Sequence, residues 1–113
     1  MIMEEVLRQP AKVLSDEQRR SSFETGYLLL DGFVDAVWLD RLWQTTNRFI
    51  EQSRSRAESD AKFDLEPNHS ADAPRLRRLS FPVELDPVYE EFAFHGPIVD
   101  VVEDLLGPSF KYH

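Results

Sequence analysis

Cysteine is absent from the 113-residue sequence, which excludes disulfide frameworks, thiolate metal sites and cysteine nucleophiles together. Glycine is scarce, with 4 in the chain, and none sits in a phosphate-cradling loop or a Gly-x-Ser-x-Gly nucleophile elbow. Apolar runs are short. Tyr27-Leu28-Leu29-Leu30 is as long as any, against the roughly 20 residues of a membrane span. Positive charge is also in deficit: 13 Lys+Arg face 21 Asp+Glu, a formal net charge of −8. A polyanion is repelled by that balance, and the one compact basic cluster, Arg75, Arg77 and Arg78, is small for a phosphate footprint. Nucleic acid and membrane are therefore not expected as partners. Met1-Ile2-Met3 followed by Glu4-Glu5 offers neither the basic nor the apolar region of a secretory leader, so the expected location is cytoplasmic.

What is present reads as one globular domain, with 42% hydrophobic and 12% aromatic residues. Residues 1–13 carry weak periodicity and a break at Pro10, and are expected to form a flexible lead-in. Ser15 and Gln18 have the spacing of a capping box, Asp16 and Glu17 suit the positive end of a helix dipole, and Gly26 suits a left-handed stop. Together they predict a helix over Asp16 to Thr25. Tyr27 to Leu30 reads as a strand buried on both faces, closed by Asp31-Gly32. Asp35 is the next N-cap. Behind it Leu39, Leu42, Trp43, Thr46, Phe49 and Ile50 form an apolar helical stripe, predicting a helix from Ala36 to Arg56. Phe63 to Glu66 and Arg75 to Phe81 read as short strands. Asp86-Pro87 and Gly96-Pro97 each open a helix, and Gly107-Pro108 ends the second. A further strand is expected from Phe110 through Tyr112. Too few strands are present to close a sheet, so the chain reads as an incomplete α+β unit.

Candidate chemistry is sparse. His69, His95 and His113 are far apart, and no His-x-His, His-x-x-x-His or His-x-Asp pair occurs, whereas metal sites draw ligands from shared local elements. Glu66 precedes His69 by three residues, but Pro67 interrupts any helical face between them. His69 is expected in a solvated loop, and His95 at a helix C-terminus where the dipole favours it. The paired acids Glu90-Glu91 and Glu103-Asp104 point about 100° apart on a helix and read as solvated faces. Trp38 and Trp43 read as core. In the basic cluster, strand alternation puts Arg75 and Arg77 beside Leu79 and puts Arg78 beside Leu76. One arginine must then face an interior or a pocket rim and needs an anion there, either an acid of the chain or a ligand.

The order of pieces resembles the phytanoyl-CoA dioxygenase family. Leu14-Ser15-Asp16-Glu17-Gln18 and Phe23 to Phe33 look like its capped helix, Gly-Tyr strand and Gly-Phe turn. Phe63-Asp64-Leu65-Glu66-Pro67, Pro74 to Leu79, and Ile98 to Pro108 look like its later pieces. The resemblance spans about residues 14–113, nearly the whole chain. It implies the N-terminal part of a double-stranded β-helix, or jelly roll, whose catalytic barrel strands are missing here. It also implies a non-haem Fe(II), 2-oxoglutarate-dependent dioxygenase that hydroxylates a small organic substrate. The family's His-x-Asp and distant histidine match nothing in this sequence, so no catalytic or metal residue is assigned and the chain alone is expected to be inactive. By position Arg78 matches a basic residue on the 2-oxoglutarate side, with Arg77 competing because the alignment can shift by one. The alternative is a non-enzymatic protein-interaction module derived from the same family. Oligomeric state is open.

Overall fold

The computed structural model describes residues 3–108 and 110. Its elements run α1 (Met3–Leu7), α2 (Asp16–Thr25), α3 (Ala36–Ser53), β1 (Phe63–Leu65), β2 (Leu76–Leu79), α4 (Pro82–Leu85), α5 (Pro87–His95) and α6 (Pro97–Leu106). Instead of one core there are two compact units. The first comprises the residues up to Val34 and those from Phe92 on; the second is the continuous stretch Asp35–Glu91.

In the first unit the local signals act as read. Ser15 accepts the Gln18 N–H, Gln18 accepts the Ser15 N–H, and Gly26 stops α2 with φ +83°, a value at which glycine avoids the Cβ clash. The segment expected as a flexible lead-in contains α1, whose Val6 is buried, and its backbone is held further on by Asp104. The expected strand at Tyr27 to Leu30 does not form. Tyr27 is 70% and Leu29 80% exposed. A strand needs a neighbour to take its backbone hydrogen bonds, and among the described residues none pairs with this segment. Gly96 is buried between α5 and α6, and a Cβ there would sit 2.5 Å from the Phe92 carbonyl oxygen. Only glycine permits that approach. The strand expected from Phe110 through Tyr112 lies for its larger part outside the described residues.

The second unit is built on α3, whose N-cap Asp35 accepts the Trp38 N–H. The helix ends at Ser53, three residues short of the expected Arg56. Its buried line is Thr45, Phe49 and Ser53, rotated from the apolar stripe in the sequence, so that Leu39 and Trp43 are more than half exposed. Trp38 lies under the Arg41 guanidinium at 4.4 Å. Phe49 is the hub: its ring lies 6.5 Å from Phe63 and 6.1 Å from Tyr89, distances at which aromatic rings attract. β1 and β2 form an antiparallel pair. α4 has no counterpart in the sequence reading. It starts at Pro82 after Phe81, a non-glycine residue with φ 55°, a conformation that costs an L-residue roughly 1–2 kcal/mol.

Candidate functional site

The basic cluster on β2 is the place to begin. The register pairs Phe63 with Leu79, Asp64 with Arg78, and Leu65 with Leu76, which leaves Arg77 as an extra residue opposite no partner. This is a β-bulge, which re-aims side chains by breaking the two-residue alternation. Its effect decides the question posed by the sequence. Arg77 and Arg78 both lie exposed, while Leu76 and Leu79 are both half-buried. Neither arginine enters an interior. Arg78 Nε donates to Asp64 Oδ2 at 2.6 Å, whereas Arg77 Nε is 4.0 Å from Glu66 Oε1. Arg75 has no ion-pair partner among the described residues.

Beside this edge the second unit carries an open groove of about 320 Å³, at the lower end of the range for small-molecule sites. Ile50, Leu76, Leu79 and Pro82 give it an apolar lining, Arg77 and Arg78 stand at its rim, and Thr46 and Tyr89 contribute hydroxyls 2.8 Å apart. Two hydroxyls joined by one hydrogen bond retain one proton free to donate. Asp86 anchors the neighbouring helix start. It accepts the Val88 N–H at 2.8 Å and pairs with Arg48, and these, the N–H first, hold its carboxyl below the ordinary value against the opposing cost of burial.

The histidines do not assemble a metal site. His69 Nε2 is 2.8 Å from the Ser53 carbonyl oxygen, and its Nδ1 accepts the Arg75 N–H at 2.8 Å. A carbonyl can only accept and an N–H can only donate, so the ring is the neutral Nε2–H tautomer with both nitrogens engaged. His69 is therefore a clip between the end of α3 and the entry to β2 rather than a solvated loop residue. His69→Ala is expected to lower stability by about 1–3 kcal/mol, because it leaves both partners unmatched; an unchanged urea midpoint contradicts the clip. His95 ends α5, as expected, and His113 lies outside the described residues. Among the described residues no three His, Asp or Glu side chains converge to hold a metal ion.

No family model, curated protein or solved structure matches the chain.

A second polar cluster, in the first unit, is not foreshadowed in the sequence. Asp104, read as part of a solvated acidic pair, is 2% exposed. Its Oδ1 accepts the Lys12 N–H at 2.8 Å, and its Oδ2 accepts those of Val13 and Leu14 at 2.8 and 2.9 Å. Arg19, 1% exposed, donates to the Asp104 carbonyl oxygen at 2.9 Å, to that of Gln9 at 3.0 Å and to that of Val6. Lys12 Nζ also reaches Glu103 at 2.7 Å, a hydrogen bond that raises the lysine's pKa. The buried part of the cluster fastens backbone: Asp104 holds residues 12–14 and Arg19 holds the carbonyls of Val6, Gln9 and Asp104. Neither Arg19 nor Asp104 carries a sequence signal of burial, since on α2 and α6 both look like ordinary helix surface.

Among the described residues no helix is long and apolar enough to cross a membrane.

Proposed function

We propose that this chain is the N-terminal region of a cytoplasmic non-haem iron, 2-oxoglutarate-dependent oxygenase of the phytanoyl-CoA dioxygenase type, its helices buttressing a jelly roll completed by other sequence. The observation that carries the reading is the ordered set of matching pieces from Leu14 to Pro108. Exposed apolar side chains agree with it, since Tyr27, Leu29, Leu39 and Trp43 are surfaces that a larger sheet covers. The described residues do not fit a facial triad, because His69 is fully engaged and no ligand cluster forms. Arg77, held only at 4.0 Å by Glu66, is freer than Arg78 to meet a carboxylate of 2-oxoglutarate.

The test is the coding sequence downstream of the His113 codon. An in-frame His-x-Asp followed by a distant histidine is the expected result; a stop with no such sequence in any frame overturns the reading. For the chain alone, anaerobic titration with Fe(II) and 2-oxoglutarate is expected to give no metal-to-ligand absorption band. A stoichiometric band would mean that the ligands are here after all.

A second reading, a protein-interaction module of the same descent, is favoured by one observation. Among the described residues every buried side-chain nitrogen and oxygen has a partner within the chain itself, as in domains that stand alone. The readings part on how the isolated chain unfolds. A single cooperative urea transition without binding of a hydrophobic dye supports the module, and dye binding with a broad transition supports the oxygenase fragment.

A further inference from the structure

Two surfaces of the molecule have complementary chemistry left over. The first is the segment between α2 and α3, where Tyr27 and Leu29 are exposed between two acids, Glu24 and Asp31. Both acids are exposed and neither has an ion-pair partner among the described residues. The second is the apolar groove over Ile50, Leu76, Leu79 and Pro82. Its rim carries the slackly held Arg77, and Arg75, with no ion-pair partner among the described residues, stands one residue before Leu76. In a chain of net charge −8, Arg75, Arg77 and Arg78 are the densest basic run of the sequence. Phe81, exposed and in the left-handed backbone region, adds an aromatic surface next to Pro82.

We propose that the groove binds the Glu24–Asp31 segment of a second copy of this chain, with Leu29 in the groove and Asp31 against Arg77. The pieces match in kind. Apolar side chains flanked by spare acids meet an apolar groove flanked by spare bases, and like-charged surfaces elsewhere on the chain disfavour other docking modes. A groove of about 320 Å³ suits one or two large side chains, the scale of a central anchor in an interface. Every copy carries both surfaces, so the contact joins copies head to tail, and its first step is a dimer. The proposal concerns the 113-residue chain by itself, in which no larger sheet covers Leu29 and no cosubstrate engages Arg77, the uses that the oxygenase reading gives them.

The experiment is sedimentation velocity on the 113-residue chain over a micromolar concentration series. The expected result is a monomer–dimer equilibrium. Leu29→Asp and Arg77→Glu, both at exposed positions, are each expected to raise the dimer dissociation constant about tenfold or more while leaving the circular dichroism spectrum unchanged. Asp31→Arg combined with Arg77→Glu is expected to recover most of the lost association. A chain that stays monomeric throughout the series overturns the proposal. So does a dimer indifferent to both single substitutions, or a charge exchange that fails to recover association.

Discussion

Asp104→Ala is expected to release the backbone of residues 12–14, at a cost of about 3–5 kcal/mol, because three N–H groups, that of Leu14 buried and the other two part-buried, and the Arg19 guanidinium lose an anionic neighbour in one step. Asp104→Asn should cost less, about 2 kcal/mol, since an amide oxygen can still accept from Val13 and Leu14 while its NH2 opposes the Lys12 N–H. Amide hydrogen exchange is the measurement. Lys12, Val13 and Leu14 should exchange at least about a hundredfold faster in the alanine variant. Unaltered protection at these three amides is the result that sinks the assignment.

The same carboxylate makes stability depend on acid. Burial works against its charged form, but the N–H groups of Lys12, Val13 and Leu14, then Arg19, outweigh that cost and hold the carboxyl below its ordinary 3.8. Asp86 is lowered by the Val88 N–H and Arg48, and Asp60 by the N–H groups of Phe63 and Lys62. Each folded value lies below the unfolded one. The stabilisation is therefore complete above the ordinary aspartate range and is lost as pH falls below 3.8 through the folded values. Asp104→Asn should flatten the Asp104 part of that acid dependence.

Phe63→Ala should be the most damaging change in the second unit. Phe63 is 0% exposed, its ring packs on Phe49, and its backbone opens β1. Removing a buried phenyl group costs about 3–5 kcal/mol through lost burial and the cavity left behind. Phe63→Leu keeps most of the volume and should cost about 1.5 kcal/mol or less. Urea denaturation of the two variants gives the order directly, and an alanine variant as stable as the leucine variant would mean that this core is not closed around residue 63.

The parts legible in the sequence were those set by neighbours a few residues apart. Ser15 with Gln18, Gly26, Asp35, Asp86-Pro87, Gly96-Pro97 and Gly107 marked helix limits because capping is local chemistry. Tyr27 to Leu30 was misread because apolarity states a need for burial without stating what supplies it. The buried line of α3 was only partly found: Phe49 was in the apolar stripe, whereas the buried Thr45 and Ser53 carry too little hydropathy to be picked out beside Leu39 and Trp43. The bulge at Arg77 could not be foreseen from either strand alone, since it is a property of their register. Asp104 was missed for a stronger reason: its partners lie at the far end of the chain.

That last distance bears on the order in which the molecule assembles. The amides held by Asp104 are 90 to 92 residues away in sequence, and bringing such distant points together costs about 4 kcal/mol of chain entropy before any contact repays it. The second unit has no such debt, because it is continuous from Asp35 to Glu91 and its hairpin closes locally. During synthesis the N-terminal helices emerge first but cannot be fastened until α6 has followed. Pulse-labelled hydrogen exchange during refolding should protect the amides of β1 before those of Lys12 to Leu14, and the reverse order would contradict this sequence of events.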